Sequence, residues 1–176
     1  MLSLRLLDWF WQAGTGVTIA AITWLLYRRR WAGLLAGVLY GIGYYSVDFW
    51  HSAQTDGFVN LPAALSVLFF VLAGQKKRPV YWLLSGSMIG IAVLTKYPIG
   101  LLLPFVLLLI PLAFGFNRHS LRNMALVGVG FGLSLLGFVL FAGVRGGLGA
   151  FLDIQFGYIP HYNSGFARDQ SYLAYT

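Results

Sequence analysis

Polar residues break this chain into six apolar runs, near 6–27, 31–47, 58–74, 80–95, 97–116 and 124–144. A helix that crosses a bilayer needs about 20 apolar residues, within a range of roughly 17–25. The first, fifth and sixth runs meet this easily, and the second and third lie at its lower limit. The fourth is short, its apolar part ending at Leu94, and reaches span length by recruiting Thr95 and Lys96, with the ammonium group held at the surface. The pattern predicts an all-α chain, with residues 1–144 forming a polytopic transmembrane bundle of about six spanning helices. Residues 145–176 change character: glycines at 146, 147 and 149, then aromatics alternating with polar groups and no spanning run. That segment is expected to lie along the outer interface or to form a loop there.

Small residues recur at helical spacing within the runs. Gly33, Gly37 and Gly41 are four apart, as are Gly86 with Gly90 and Gly128 with Gly132. In lipid such faces let helix backbones approach closely. The string Gly128-Val129-Gly130-Phe131-Gly132 superficially resembles a nucleotide loop, but it lies inside an apolar run with no strand before it, so it is assigned to packing.

Composition strengthens the membrane reading. The chain is 59% hydrophobic and 10% charged, with a mean hydropathy of +0.74; a soluble domain carries about a quarter charged residues. The formal net charge of +7 does not point to nucleic acid, because the basic residues cluster in short connections: Arg28-Arg29-Arg30, Lys76-Lys77-Arg78, and Arg118 with Arg122. Placed together on the cytoplasmic side they satisfy the positive-inside rule. All five acids, Asp8, Asp48, Asp56, Asp153 and Asp169, then fall on the opposite side with His51 and His161. Cysteine is absent, which excludes disulfides and thiolate metal sites. The N-terminus, with Trp9, Phe10 and Trp11 and no small-residue cleavage site, does not resemble a signal peptide.

Three places carry candidate chemistry. Asp48, His51 and Asp56 lie in the longest polar interruption before the tail. They suit acid/base work, sugar-hydroxyl binding or a divalent metal, although their spacing matches no specific ligand motif. The plain alternative is a solvated loop in which Thr55 or Asp56 caps the next helix. Lys96 precedes Tyr97-Pro98 in what reads as a tight outer turn. There it is a mobile cation for a phosphate, against the plain alternative of a snorkelling lysine. Arg145, His161, Tyr162 and Arg168 could line a cleft or belong to an interfacial loop. Arg5 and Asp8 read as boundary residues of the first span.

The block Ser85-Gly-Ser-Met-Ile-Gly-Ile-Ala-Val-Leu-Thr-Lys96-Tyr-Pro-Ile-Gly-Leu-Leu-Leu-Pro104 resembles a helical hairpin of GT-C membrane glycosyltransferases. The group in question includes the protein O-mannosyltransferases and the bacterial aminoarabinose and lipopolysaccharide sugar transferases. Gln54-Thr55-Asp56-Gly57-Phe58 is similar to the Thr-Asp or Thr-Glu that opens a helix in the same family. The order of motifs agrees over residues 3–115. The resemblance implies a GT-C-like bundle that moves a sugar from a polyprenyl-phosphate donor to a glycan, lipid or protein acceptor, facing out of a bacterial inner membrane. It implies Lys96 beside the lipid phosphate and Asp56 as a supporting acid; Asp48, His51, His161 and Tyr162 are taken as further substrate contacts from their own chemistry and position. No cofactor is certain, and a divalent metal is the one candidate. The family's general base stands in a first outer loop that no residue here matches, so the chain is expected to be a fragment, inactive alone. The competing readings are a transporter or flippase for a lipid-linked substrate, and a non-catalytic membrane subunit. The first needs ionisable groups near the midplane, whereas these lie at helix ends.

Overall fold

The computed structural model describes residues 2–46 and 55–158, and among these residues there is no strand. Helix α1 spans Leu2–Tyr27, α2 Arg30–Ser46, α3 Thr55–Phe58, α4 Asn60–Lys76 and α5 Pro79–Thr95. A 3-10 turn, Tyr97–Leu101, leads into α6, Leu102–Phe114; α7 covers Arg118–Val144 and α8 Leu148–Leu152, followed by a π-helical turn, Asp153–Tyr158. Two stretches, Tyr97–Phe114 and Arg118–Val144, are long and apolar enough to cross a membrane by length and composition; α4 and α5 are shorter apolar helices. The chain divides into two compact units, Met1–Leu135 and Leu136–Thr176.

The turns between helices are sharp for local reasons. Arg28 after α1 and Lys77 after α4 adopt positive φ, 58° and 53°, and Gly115 ends α6 at φ 80°. A left-handed residue with a side chain costs about 1 kcal/mol or more, and a cation at a helix C-terminus offsets part of that through the helix dipole. Pro79 opens α5 at its first turn, where its missing N–H costs nothing. The N-cap of α4 is Val59, without a side-chain cap bond. Thr55 and Asp56 therefore do not cap that helix; they lie within α3.

Directions in the first unit follow from contacts. Tyr44 reaches Asp8 while Gly37 faces Gly16 and Gly33 faces Ala20, so α1 and α2 are antiparallel. Ser85 bonds to Ser66 and Trp82 packs on Phe70, so α4 and α5 are antiparallel too. Gln12 meets Gly57 while Gln75 bonds to Leu25, so α1 and α4 run together. The basic turns after α1 and α4 consequently share one end of the unit. The end of α2, α3 and the α5 terminus at Thr95 share the other.

Two of the helix seams in the unit depend on missing Cβ atoms. On α2, a Cβ at Gly33 would stand 2.6 Å from the Ala20 carbonyl oxygen and one at Gly37 2.7 Å from that of Gly16. Between α5 and α7, a Cβ at Gly86 would overlap the Val127 carbonyl and one at Gly130 the Leu83 carbonyl. The sequence pattern pointed to Gly128 and Gly132, but neither has an atom within 4 Å of its would-be Cβ; Gly130, between them, faces α5. The contact is locked by hydroxyls: Ser87 Oγ donates to the Gly130 carbonyl at 3.1 Å and Ser134 Oγ to that of Ser87 at 2.9 Å. Beside this seam Ala73, Trp82, Ile89, Val106, Ile110 and Val127 form the buried core, with Trp82 edge-on to both Phe70 and Phe114.

In the second unit Phe138 packs edge-on against Phe151 at 4.7 Å, and the Arg145 guanidinium lies 5.8 Å from the Phe141 ring centre. Residues 148–158 are helical.

Gly86→Val or Gly130→Val should force α5 and α7 apart and destabilise the bundle by about 1–3 kcal/mol. Gly132→Val, at an open position, should leave it within about 0.5 kcal/mol of wild type. Thermal unfolding in detergent distinguishes the two outcomes.

Candidate functional site

A buried polar cluster lies at the end of the first unit opposite the Arg28–Arg30 turn. Its origin is a polar face on α1: Asp8, Gln12, Thr15 and Thr18, spaced by four, three and three residues, all buried. That spacing keeps them on one side of a helix. Thr15 and Thr18 return their hydroxyls to their own helix, donating to the carbonyls of Trp11 and Gly14. Asp8 and Gln12, each 2% exposed, need partners from elsewhere, because an unpaired polar group buried this deeply is costly.

Helix α2 supplies them from Tyr40 and Tyr44, one turn apart. Tyr44 donates its phenol to Asp8 Oδ1 at 3.0 Å, and Tyr40 donates to Gln12 Oε1 at 2.6 Å. The Gln12 amide donates to Asp8 Oδ1 and to the Gly57 carbonyl, both at 3.1 Å. Asn60 Nδ2 of α4 donates to the Tyr40 oxygen at 3.0 Å. Trp11 adds a bond from its indole N–H to the Phe58 carbonyl at 2.9 Å, with its ring edge-on to Phe58. Six side chains and two backbone carbonyls thus join α1, α2, α3 and α4. A Cβ at position 57 would displace the Tyr44 hydroxyl.

An apolar trough opens beside this cluster between α1 and α2. It has a volume of about 480 Å³ and is lined by Trp9, Gln12, Gly16, Val38, Gly41 and Tyr45 among others. Gln12 is the point where trough and cluster meet. A site of this shape suits an amphipathic ligand, with an apolar chain along the helices and a polar head at the bundle end.

Lys96 is exposed at the same end. It is the extended residue (φ −151°, ψ 107°) that terminates α5, and Pro98 starts the 3-10 turn beyond it. The tight turn expected at Thr95–Pro98 is therefore present. The backbone of Asp56 lies within α3, which contacts α1, α4 and α5. Asp48, His51, His161, Tyr162 and Arg168 lie outside the described residues. The acid/imidazole set considered for a metal lies there too, apart from the Asp56 backbone.

Asp8 and Gln12 were not singled out by the sequence, where Asp8 read as a boundary residue. The structure adds that Asp8 is enclosed by its neighbours and hydrogen-bonded to them. The available signal was the polar spacing 8, 12, 15, 18 within an apolar run, matched by Tyr40 and Tyr44 on the next helix.

A family model described as dolichyl-phosphate-mannose-protein mannosyltransferase matches residues 3–143. The chain belongs to that family. It is therefore a membrane glycosyltransferase of the GT-C type, and the transporter reading is not favoured. No curated protein and no solved structure matches the chain. The family match runs past residue 115, where the sequence resemblance stopped, and takes in nearly all of α7.

Gln12→Leu should strand the Tyr40 hydroxyl and the Gly57 carbonyl, at about 1–3 kcal/mol for each group left unpaired. The expected result is a lower melting temperature in detergent and faster amide exchange at residues 55–59. Unchanged exchange there would show that Gln12 does not hold α3.

Proposed function

We propose that this mannosyltransferase-family protein transfers a sugar from a polyprenyl-phosphate carrier to an acceptor at the end of the bundle that carries Asp8, α3 and Lys96. The observation that supports this most directly is the junction of the apolar trough with the buried polar cluster at Gln12. A lipid-linked sugar has the same division: an isoprenoid chain that prefers the trough, and a sugar phosphate that prefers polar surroundings.

In the transfer, an acceptor hydroxyl attacks the anomeric carbon and loses its proton to a base. The bond from that carbon to the phosphate oxygen breaks, and the electron pair leaves with the polyprenyl phosphate. Negative charge grows on the phosphate, so a cation at that place accelerates the step. Lys96 is assigned this role, at headgroup level where its ammonium remains solvated. Asp56, on the turn that Gln12 tethers, is assigned a supporting role toward acceptor or sugar hydroxyls. The general base itself is assigned to none of these residues.

This reading takes six spanning helices, with the basic turns on the cytoplasmic side and the site facing out. The positive-inside rule supports that orientation. Antiparallel α1–α2 and α4–α5 pairs, which bring the Arg28–Arg30 and Lys76–Arg78 turns to one end of the first unit, support it too.

The decisive assay follows sugar transfer from a panel of polyprenyl-phosphate sugars in membranes carrying the complete reading frame. Lys96→Ala should raise the KM for the donor and lower kcat/KM about ten- to hundred-fold, the scale of one hydrogen bond to a charged group. Asp56→Asn should lower kcat with insertion intact. Unchanged donor kinetics in Lys96→Ala would remove the lysine from the site, and transfer from no donor would remove the reading itself.

Because the chain has no cysteine, orientation is directly testable by single cysteines. An impermeant thiol reagent added from outside should label S52C and H161C and leave K76C unlabelled. Labelling of K76C in sealed cells would invert the topology.

A further inference from the structure

The trough does not stop at the site. A second cavity of about 340 Å³ continues it toward the other end of α1 and α2, and the two share Val17, Ala20 and Leu34. They form one groove along the helix seam. Its far half is apolar from Val17 to Trp24 and ends on Arg30, which itself lines the cavity. Val17 is 70% exposed and Trp24 47% exposed, so the groove opens sideways, away from the bundle core.

Length and charge identify an occupant. From Arg28 to Val17 is eleven residues of helix, about 16 Å, or half of a hydrocarbon core about 30 Å thick. The far half is therefore one leaflet deep. Arg28, Arg29 and Arg30 are all exposed at its mouth. The Gln75–Leu25 hydrogen bond brings the end of α4, and with it Lys76, Lys77 and Arg78, to the same end of the unit. Neither turn contains an acid. A cavity of acyl-chain depth that terminates on an arginine among uncompensated cations is complementary to a lipid with an anionic head.

We propose that this far half of the groove is a binding site for one anionic phospholipid of the leaflet facing the basic turns. Arg30 holds the phosphate, and an acyl chain lies between α1 and α2 along Trp24, Gly33 and Ala20, ending at Val17. The site borders the trough at Val17, Ala20 and Leu34 and differs from it in where its head group sits. It lies in the opposite leaflet from the Asp8 cluster, and it requires only that the chain is embedded in a bilayer.

The test uses the full chain, extracted in mild detergent and equilibrated with mixed micelles of equal parts phosphatidylglycerol and phosphatidylcholine. Native mass spectrometry then reads the retained lipid. Preferential retention of a single phosphatidylglycerol is the expected result. Arg30→Gln should weaken that retention about five-fold, the scale for one cation at an anionic lipid surface. Val17→Trp, at an exposed position, should fill the groove and reduce retention with every arginine in place. Equal retention of the two lipids overturns the proposal. So does a phosphatidylglycerol preference that falls in Arg30→Gln but survives Val17→Trp, since that describes diffuse surface charge and not a groove. Protein dimers in place of lipid adducts also overturn it, by making a second copy the occupant. If Arg30→Gln fails to insert, Val17→Trp alone decides between the first two outcomes.

Discussion

One buried amide controls the geometry of the site end. Gln12 has two donor hydrogens and an acceptor oxygen, and each is used toward a different element: Asp8 on its own helix, the Gly57 carbonyl of α3, and the Tyr40 phenol of α2. Inside an apolar bundle no water is at hand to replace a missing partner, so these bonds stand or fall together. Asp8 fixes which way the amide faces, because its oxygen accepts from Gln12 and from Tyr44 at once. The result is a rigid connection between α1 and the short turn that carries Thr55 and Asp56. That turn has no cap of its own leading into α4, so its position relies on bonds from outside.

The helices can present this cluster only because they approach closely elsewhere. Glycine costs a helix about 1 kcal/mol relative to alanine, and the chain accepts that cost at Gly33, Gly37, Gly86 and Gly130. At each of these a carbonyl oxygen of the facing helix occupies the place of a Cβ. In lipid there is little hydrophobic gain from bringing two apolar helices together, so close backbone contact and interhelical hydroxyl bonds become the main terms. Ser85, Ser87 and Ser134 supply such bonds between α4, α5 and α7, Ser85 donating to the Ser66 carbonyl.

Much of this was legible in the sequence because hydropathy and charge act locally. The apolar runs marked the helices, the basic triplets marked sharp turns, and Thr95-Lys96-Tyr97-Pro98 marked a helix end that the structure places at Lys96. The glycine seam was legible only in part. Four-residue spacing found Gly33, Gly37, Gly86 and Gly90, but it also marked Gly41, which is open, and chose Gly128 and Gly132 over Gly130, because spacing alone does not say which positions meet a neighbour. The partners of Asp8 were missed for a related reason. One carboxyl near the start of an apolar run looks the same whether it faces headgroups or a tyrosine on the next helix. What separates the two cases is the pairing of positions 8 and 12 on α1 with 44 and 40 on α2. That is a long-range match in antiparallel register, invisible to any window on one helix.

The register between α1 and α2 joins features that look independent. Along α1 the residues pass from a polar end at Asp8 and Gln12, through small and apolar positions at Gly16, Val17 and Ala20, to Trp24 and the arginines. Helix α2 passes the other way, from Arg30 and Gly33 through Gly37 to Tyr40 and Tyr44. The Gly16–Gly37 and Ala20–Gly33 contacts fix how these two gradients align. A slip of one helical turn, about 5.4 Å, would carry Tyr44 away from Asp8. Because the glycines of α2 repeat every four residues, the seam alone would tolerate that slip, and the polar pairs select the register. The walls of the groove are the positions just beside those glycines, so its lining is set by the same register. The polar cluster, the lipid-facing trough and the basic mouth are thus consequences of one helix–helix register. A substitution at Gly37, some distance from every polar side chain of the site, is therefore felt first as a misplaced Tyr44.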